Sequence, residues 1–140
     1  VKIAIACDHG GLSLKGAIAV LLAELGHEVG DLGCDTNESV DYPDFARMVC
    51  QAVQEGDCER GILICGTGVG MSMAANRFPG IRAALGNEIF TARMSREHND
   101  ANVLCLGARV VGPGLAVEIV RAWMETGFAG GRHQRRIAMF

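Results

Sequence analysis

Short apolar runs alternate along the chain with stretches whose apolar positions recur at helical spacing. Lys2–Cys7 is the first such run and predicts a buried strand. Leu14, Ile18, Leu21, Leu22 and Leu25 then keep a helical period, and Gly26 predicts the stop. Val29–Leu32 predicts a short second strand, and Tyr42–Gln54 a helix with Phe45, Val49, Ala52 and Val53 on one side. Gly61–Cys65 predicts the third strand. A glycine-rich loop and a helix opening through Met71–Asn76 follow, closed by Pro79-Gly80. Ile81–Leu85 predicts a fourth strand, Asn87 the cap of a helix to about Glu97, and Val103–Leu106 the fifth strand. Pro113 suits the first turn of a last helix, with Ile119, Val120 and Trp123 facing inward and Gly127 ending it.

Strand and helix thus alternate, and the strands are apolar on both faces. That combination predicts a single α/β domain over residues 1–140: a three-layer α/β/α, Rossmann-like fold around a mostly parallel five-stranded sheet. Ligands on such sheets bind beyond the carboxyl ends of the strands. The rule picks out Cys7-Asp8-His9-Gly10, Cys65–Gly70 and the segment around Asn87 as one rim. From about residue 130, Gly130-Gly131-Arg132-His133-Gln134-Arg135-Arg136 forms a basic tail behind a glycine hinge.

Composition removes several classes. The formal net charge of −3 argues against a general nucleic-acid binder, because phosphate backbones demand a basic face. No apolar run reaches the roughly 20 residues of a membrane span. Asp8 and His9 interrupt the first apolar run too early for a signal-peptide core. The six cysteines form no C-x-x-C pair and stand at irregular intervals, which suggests neither a zinc site nor a disulfide framework. Reduced core thiols and a cytoplasmic location are the expectation.

The chemistry concentrates at Ile62-Leu63-Ile64-Cys65-Gly66-Thr67-Gly68-Val69-Gly70. A strand that opens into a glycine loop before a helix aims backbone N–H groups and the positive end of the helix dipole at one point. Such a nest suits an anion or a developing oxyanion. Cys65 sits at its lip, where a positive field favours thiolate, and Thr67 offers a hydroxyl to the same place. The spacing is G-x-G-x-G rather than the dinucleotide fingerprint G-x-G-x-x-G, yet Glu88 follows the next strand where a ribose-binding acid would stand. A nucleotide-binding module is therefore the competing reading.

Other candidates carry two readings each. Asp8-His9 fits a polar turn and equally a ligand contact on the rim. His98-Asn99-Asp100-Ala101-Asn102 fits a plain turn and equally an oriented general acid/base. Arg132 and Arg136, four apart, would share a helical face; with Arg109 they fit a phosphate clamp, and alone a solvated tail. His27, His133 and Arg135 are given no role.

Taken together these segments resemble ribose-5-phosphate isomerase type B, in the family that includes the galactose-6-phosphate isomerase subunits. The blocks that carry the likeness are Cys7-Asp8-His9, Asp41-Tyr42-Pro43, Ile62–Gly70 with Ala74-Ala75-Asn76, Gly80-Ile81-Arg82-Ala83, Ser95–Leu104 and Gly130–Gln134. The resemblance implies interconversion of D-ribose 5-phosphate and D-ribulose 5-phosphate through an enediolate, a step of the non-oxidative pentose phosphate pathway, with no metal or organic cofactor. It implies that Cys65 is the base, that Thr67 assists it, and that the amides of Gly66, Gly68, Val69 and Gly70 hold the oxyanion. His98 would open the sugar ring. Asp8, His9, Tyr42 and Asn99 would contact substrate, and Arg109, Arg132 and Arg136 the phosphate. In one branch of the family a glutamate beyond the glycine loop replaces the cysteine; here that place falls on Met71, which cannot take a proton. The likeness also implies a homodimer, or a dimer of dimers, with active sites between subunits. Six-carbon substrates (allose 6-phosphate, galactose 6-phosphate) stay open, as does a noncatalytic subunit role.

Overall fold

A computed structural model describes residues 1–140. Five strands form one sheet: β1 (Lys2–Cys7), β2 (Glu28–Asp31), β3 (Arg60–Cys65), β4 (Ala83–Leu85) and β5 (Val103–Gly107). Their order is β2-β1-β3-β5-β4, and every pairing is parallel. Six helices connect and follow them: α1 (Leu12–Glu24), α2 (Tyr42–Gln54), α3 (Val69–Ala75), α4 (Ile89–Glu97), α5 (Pro113–Glu125) and α6 (Arg132–Ile137).

Right-handed crossovers dictate the layers. The connections β1 to β2 and β4 to β5 move across the sheet in one direction, and β2 to β3 and β3 to β4 in the other. Helices α1 and α4 therefore share one face, where α5 joins them, while α2 and α3 cover the opposite face. Alternation along each strand feeds both cores. Ile3, Ile5, Ile62, Ile64, Leu104 and Leu106 pack beneath α1, α4 and α5 with Trp123. Ala4, Ala6, Leu63, Cys65, Val103 and Cys105 face α2 and α3. Strand residues are small where α2 comes closest: Val49 lies directly on Gly61, which has no side chain to obstruct it.

Three cations, Lys15 and Arg96 buried and Arg60 half-buried, brace this frame. Lys15 of α1 donates to Asp31 Oδ1 and to the Cys34 carbonyl, each at 2.8 Å, which pins the segment after β2 to the helix. Burial works against its ammonium, but the hydrogen bond and attraction to Asp31 outweigh that and raise its pKa. Arg60 and Arg96 both lie over the Trp123 ring, with guanidinium carbons 5.4 and 5.9 Å from its centroid.

The expected elements are all present, with shifted edges. β2 begins and ends one residue early, and β4 is shorter than the apolar run from Ile81 suggests. α3 closes at Ala75, well before Pro79-Gly80. α5 ends at Glu125 rather than at Gly127: Thr126 leaves the helix with ψ 126°, and its carbonyl accepts from Arg96. The tail beyond the hinge is ordered as α6, because Gly130 and Gly131 take φ values of +67° and +56° and turn the chain back. No helix is long and apolar enough to cross a membrane.

Candidate active site

Strand β3 lies at the centre of the sheet, and its neighbours β1 and β5 lead into helices on the opposite face from α3. The carboxyl end of β3 is therefore flanked by diverging loops, the usual origin of a ligand crevice. Cys65 closes this strand at 5 % exposure, its side chain on the α2/α3 face.

The glycine loop folds back on the thiol. Gly68 N–H donates to Cys65 Sγ at 3.1 Å, and Val69 N–H donates to Thr67 Oγ1 at 3.2 Å. Two of the loop's amides are thus engaged within the chain, and the Thr67 hydroxyl keeps its own proton free to donate. Gly68 must be glycine on two counts. Its φ of +81° is left-handed, and a Cβ there would lie 2.6 Å from Leu85 Cδ1 and 3.0 Å from the Leu106 carbonyl carbon. Tyr42 lies over Gly70, whose missing Cβ would stand 2.7 Å from the phenol oxygen. All six cysteines are buried and free, and burial pushes the Cys7 thiol up to about 12 and Cys50 up to about 11.

Asp8 and His9 stand at the same rim. Asp8 N–H donates to the Ile64 carbonyl at 3.0 Å, and the Asp8 carboxylate accepts from Gly10 N–H at 2.9 Å. His9 Nδ1 accepts from Val40 N–H at 3.2 Å, which leaves the proton on Nε2 as a free donor. Arg109 is anchored by its own backbone, whose N–H donates to the Gly66 carbonyl at 3.0 Å, and its side chain is exposed.

Asn87 does not cap α4. Its carboxamide is drawn sideways to Thr67 and Gly107, so the cap falls to Glu88, whose carboxylate accepts from Phe90 N–H at 2.7 Å and Thr91 N–H at 2.6 Å. The hydrogen bonds at Thr91 hold that carboxyl below its ordinary pKa. Glu88 is thus committed to a helix end, and the nucleotide reading loses the residue on which it leaned.

His98, Asn99, Arg132 and Arg136 are not brought to this rim. α4 runs back across the sheet, so His98 at its end stands beside the amino ends of the strands, as Asn102 does in accepting from Gly61 N–H at 2.9 Å. A six-residue strand rising about 3.3 Å per residue separates the two rims by roughly 17 Å. Ala129 N–H donates to the Glu97 carbonyl at 3.0 Å and seats the start of the tail at the same end. There His98 stacks on His133. Arg109, Arg132 and Arg136 are all exposed.

The His98–Asn99 turn is held from behind. Asp100 has φ +46°, and its carboxylate accepts from Arg96 at 2.9 Å and Arg82 at 3.5 Å. Neither arginine, nor His133, stands out in the sequence as part of a site, because their partners are revealed only by folding. The largest concavity is a groove of about 880 Å³ along the free edge of β4, with Leu85 at one end and Asn99 near the other. Phe90 and Phe140 also line it, at 67 % and 82 % exposure.

A family model described as Ribose/Galactose Isomerase matches residues 3–140. Ribose-5-phosphate isomerase B of Escherichia coli is 53 % identical over 136 residues, covering 97 % of this chain and 91 % of that protein. A D-erythrulose-4-phosphate isomerase of Pectobacterium atrosepticum is 44 % identical, covering 94 % of this chain and 87 % of the relative. Among solved structures, ribose-5-phosphate isomerase B of Clostridium thermocellum superimposes with a TM-score of 0.97 at 57 % identity, covering 99 % of this chain and 94 % of the other.

Proposed function

Because the chain belongs to the ribose/galactose isomerase family, we propose that it interconverts D-ribose 5-phosphate and D-ribulose 5-phosphate with Cys65 as the base. The observation that carries the assignment of the base is the hydrogen bond from Gly68 N–H to Cys65 Sγ at the end of the central strand. A backbone N–H aimed at sulfur is placed to donate to the thiolate that acts as the base.

The chemistry follows from that placement. Cys65 thiolate takes the proton from C2 of the open-chain aldose, and the electron pair moves through C1 onto O1 to give an enediolate. Thr67 and the unengaged amides of Gly66 and Gly70 would hold the oxygen on which charge develops, while those of Gly68 and Val69 are spent on Cys65 and Thr67. Return of the proton from sulfur to C1, with transfer of the O2 proton to O1, completes the ketose. Asp8, His9, Tyr42 and Asn99 orient the sugar. Arg109, Arg132 and Arg136 bind the phosphate, and His98 moves the proton that opens the furanose ring. Binding of the nonreacting phosphate provides positioning energy.

One chain does not supply all of these groups to one sugar, since His98, Asn99, Arg132 and Arg136 occupy the rim away from Cys65. A second copy would bring its amino rim to the carboxyl rim of the first. The groove along β4 suits that role, running from Leu85, beside Gly68, to Asn99, beside His98. A two-fold homodimer repeats the exchange at both sites, and two such dimers could join further. Reduced thiols fit a cytoplasmic enzyme. The erythrulose phosphate isomerase among the relatives favours testing four- and six-carbon sugar phosphates beside ribose 5-phosphate.

The test is incubation with ribose 5-phosphate in D₂O, followed by NMR. Ribulose 5-phosphate with deuterium entering at carbon is the expected result, and Cys65→Ala should lose about 10²–10⁴ in turnover. Turnover of Cys65→Ala near the wild-type rate would remove the thiol from the mechanism.

A further inference from the structure

Asn87 is the side chain at the carboxyl rim that this scheme leaves unused. Its Oδ1 accepts from Gly107 N–H at 2.8 Å, and its Nδ2 donates to the Thr67 carbonyl at 3.0 Å. That carbonyl belongs to the same planar peptide as the Gly68 N–H, which donates to Cys65 Sγ at 3.1 Å. Holding one end of the plane aims the other. We propose that Asn87 is a positioning residue for Cys65, acting through the Thr67–Gly68 peptide to keep its N–H directed at the sulfur.

The loop needs such a brace. Gly68 is required by its left-handed backbone and its close neighbours, but a glycine also leaves the preceding peptide free to turn over. A flip of that peptide would direct the Thr67 carbonyl, a negative group, at the thiolate. Gly107 completes the fit, because a Cβ there would lie 2.6 Å from the Thr67 carbonyl carbon and oxygen. A carboxamide accepts from Gly107 and donates to Thr67 in a single planar group. A carboxylate has no proton to donate, and a hydroxyl at this position has a shorter reach.

The inference rests on Cys65 being the base, so its test reads the thiol apart from turnover. In Asn87→Ala and Asn87→Asp, alkylation of Cys65 by iodoacetamide at neutral pH, followed by peptide mass spectrometry, is expected to slow about tenfold, the loss of roughly one charge-assisted hydrogen bond. The aspartate keeps the bond from Gly107 while removing the donor to Thr67, which provides a second variant if the alanine misfolds. A matching fall in kcat with KM unchanged completes the expected pattern. Faster alkylation would overturn the inference, because a side chain that merely held the loop shut would expose the thiol when removed. Wild-type alkylation in both variants would overturn it as well. If alkylation slows while kcat holds, Asn87 still directs the thiol and the assignment of the base fails. If Cys65→Ala is inactive while both Asn87 variants match wild type in alkylation and kcat, the role of Asn87 alone fails.

Discussion

His98 and His133 stack face to face, with ring centroids 4.2 Å apart and planes 11° from parallel. One ring ends α4 and the other belongs to α6, so the pair fastens the basic helix to the turn that carries the proposed ring-opening acid. Arg132 and Arg136 flank His133 on its own helix, and Glu97 lies across from it. Positive groups crowded this closely favour the neutral imidazole.

His133 should therefore titrate below its ordinary value of 6.5, first through the desolvation of its ring and then through His98, Arg132 and Arg136. Above about pH 6.5 the ring is neutral in both folded and unfolded chains and contributes nothing. As pH falls below that value the unfolded chain takes the proton more readily, and the fold loses stability until the lowered folded value is passed. NMR titration of the His133 ring checks this, and glutamine at Arg132 and Arg136 should move the midpoint up. A midpoint at or above 6.5 would contradict it.

If two copies share each site, Cys65→Ala and His98→Ala should complement each other. Each variant alone disables every site. In a mixed dimer one site carries both changes and the other carries neither. Equal mixing with full exchange of subunits should restore about a quarter of wild-type activity. Confirmed exchange without recovery would mean that Cys65 and His98 never act at one site.

Gly107→Ala should damage the site through its backbone alone. The added Cβ would lie 2.6 Å from the Thr67 backbone, so the loop over Cys65 must move. Overpacking of this kind costs about 1–3 kcal/mol. Misplacement of a catalytic loop by about 1 Å lowers turnover by roughly 10². Urea unfolding and kcat measure the two effects, and unchanged values in both would show that the approach is looser than described.

Much of this protein was legible along the chain. Strand and helix periods are local properties, so β3, α2 and the α/β class could be read from apolar spacing, and the limits of α2 match residue for residue. The glycine loop announced itself too, because left-handed backbone and close approach select glycine at fixed places such as Gly68. Asn87 shows where that reading stops. As a residue before a helix it looked like a cap, and nothing nearby reveals that Thr67 and Gly107, each 20 positions away, would claim its side chain.

What the sequence by itself determined is the set of elements and the chemical groups they carry: a thiol at a strand end, a loop of amides, a histidine turn and a basic tail. Which of these share a site was decided only by tertiary structure. Parallel strands must be joined by helices that run back across the sheet, so a residue's rim depends on whether it ends a strand or ends a helix. Cys65 ends a strand and His98 ends a helix, and they stand at opposite rims of the same sheet. Sequence spacing does not encode that separation, because strand order and crossover direction are set by long-range pairing of the whole sheet.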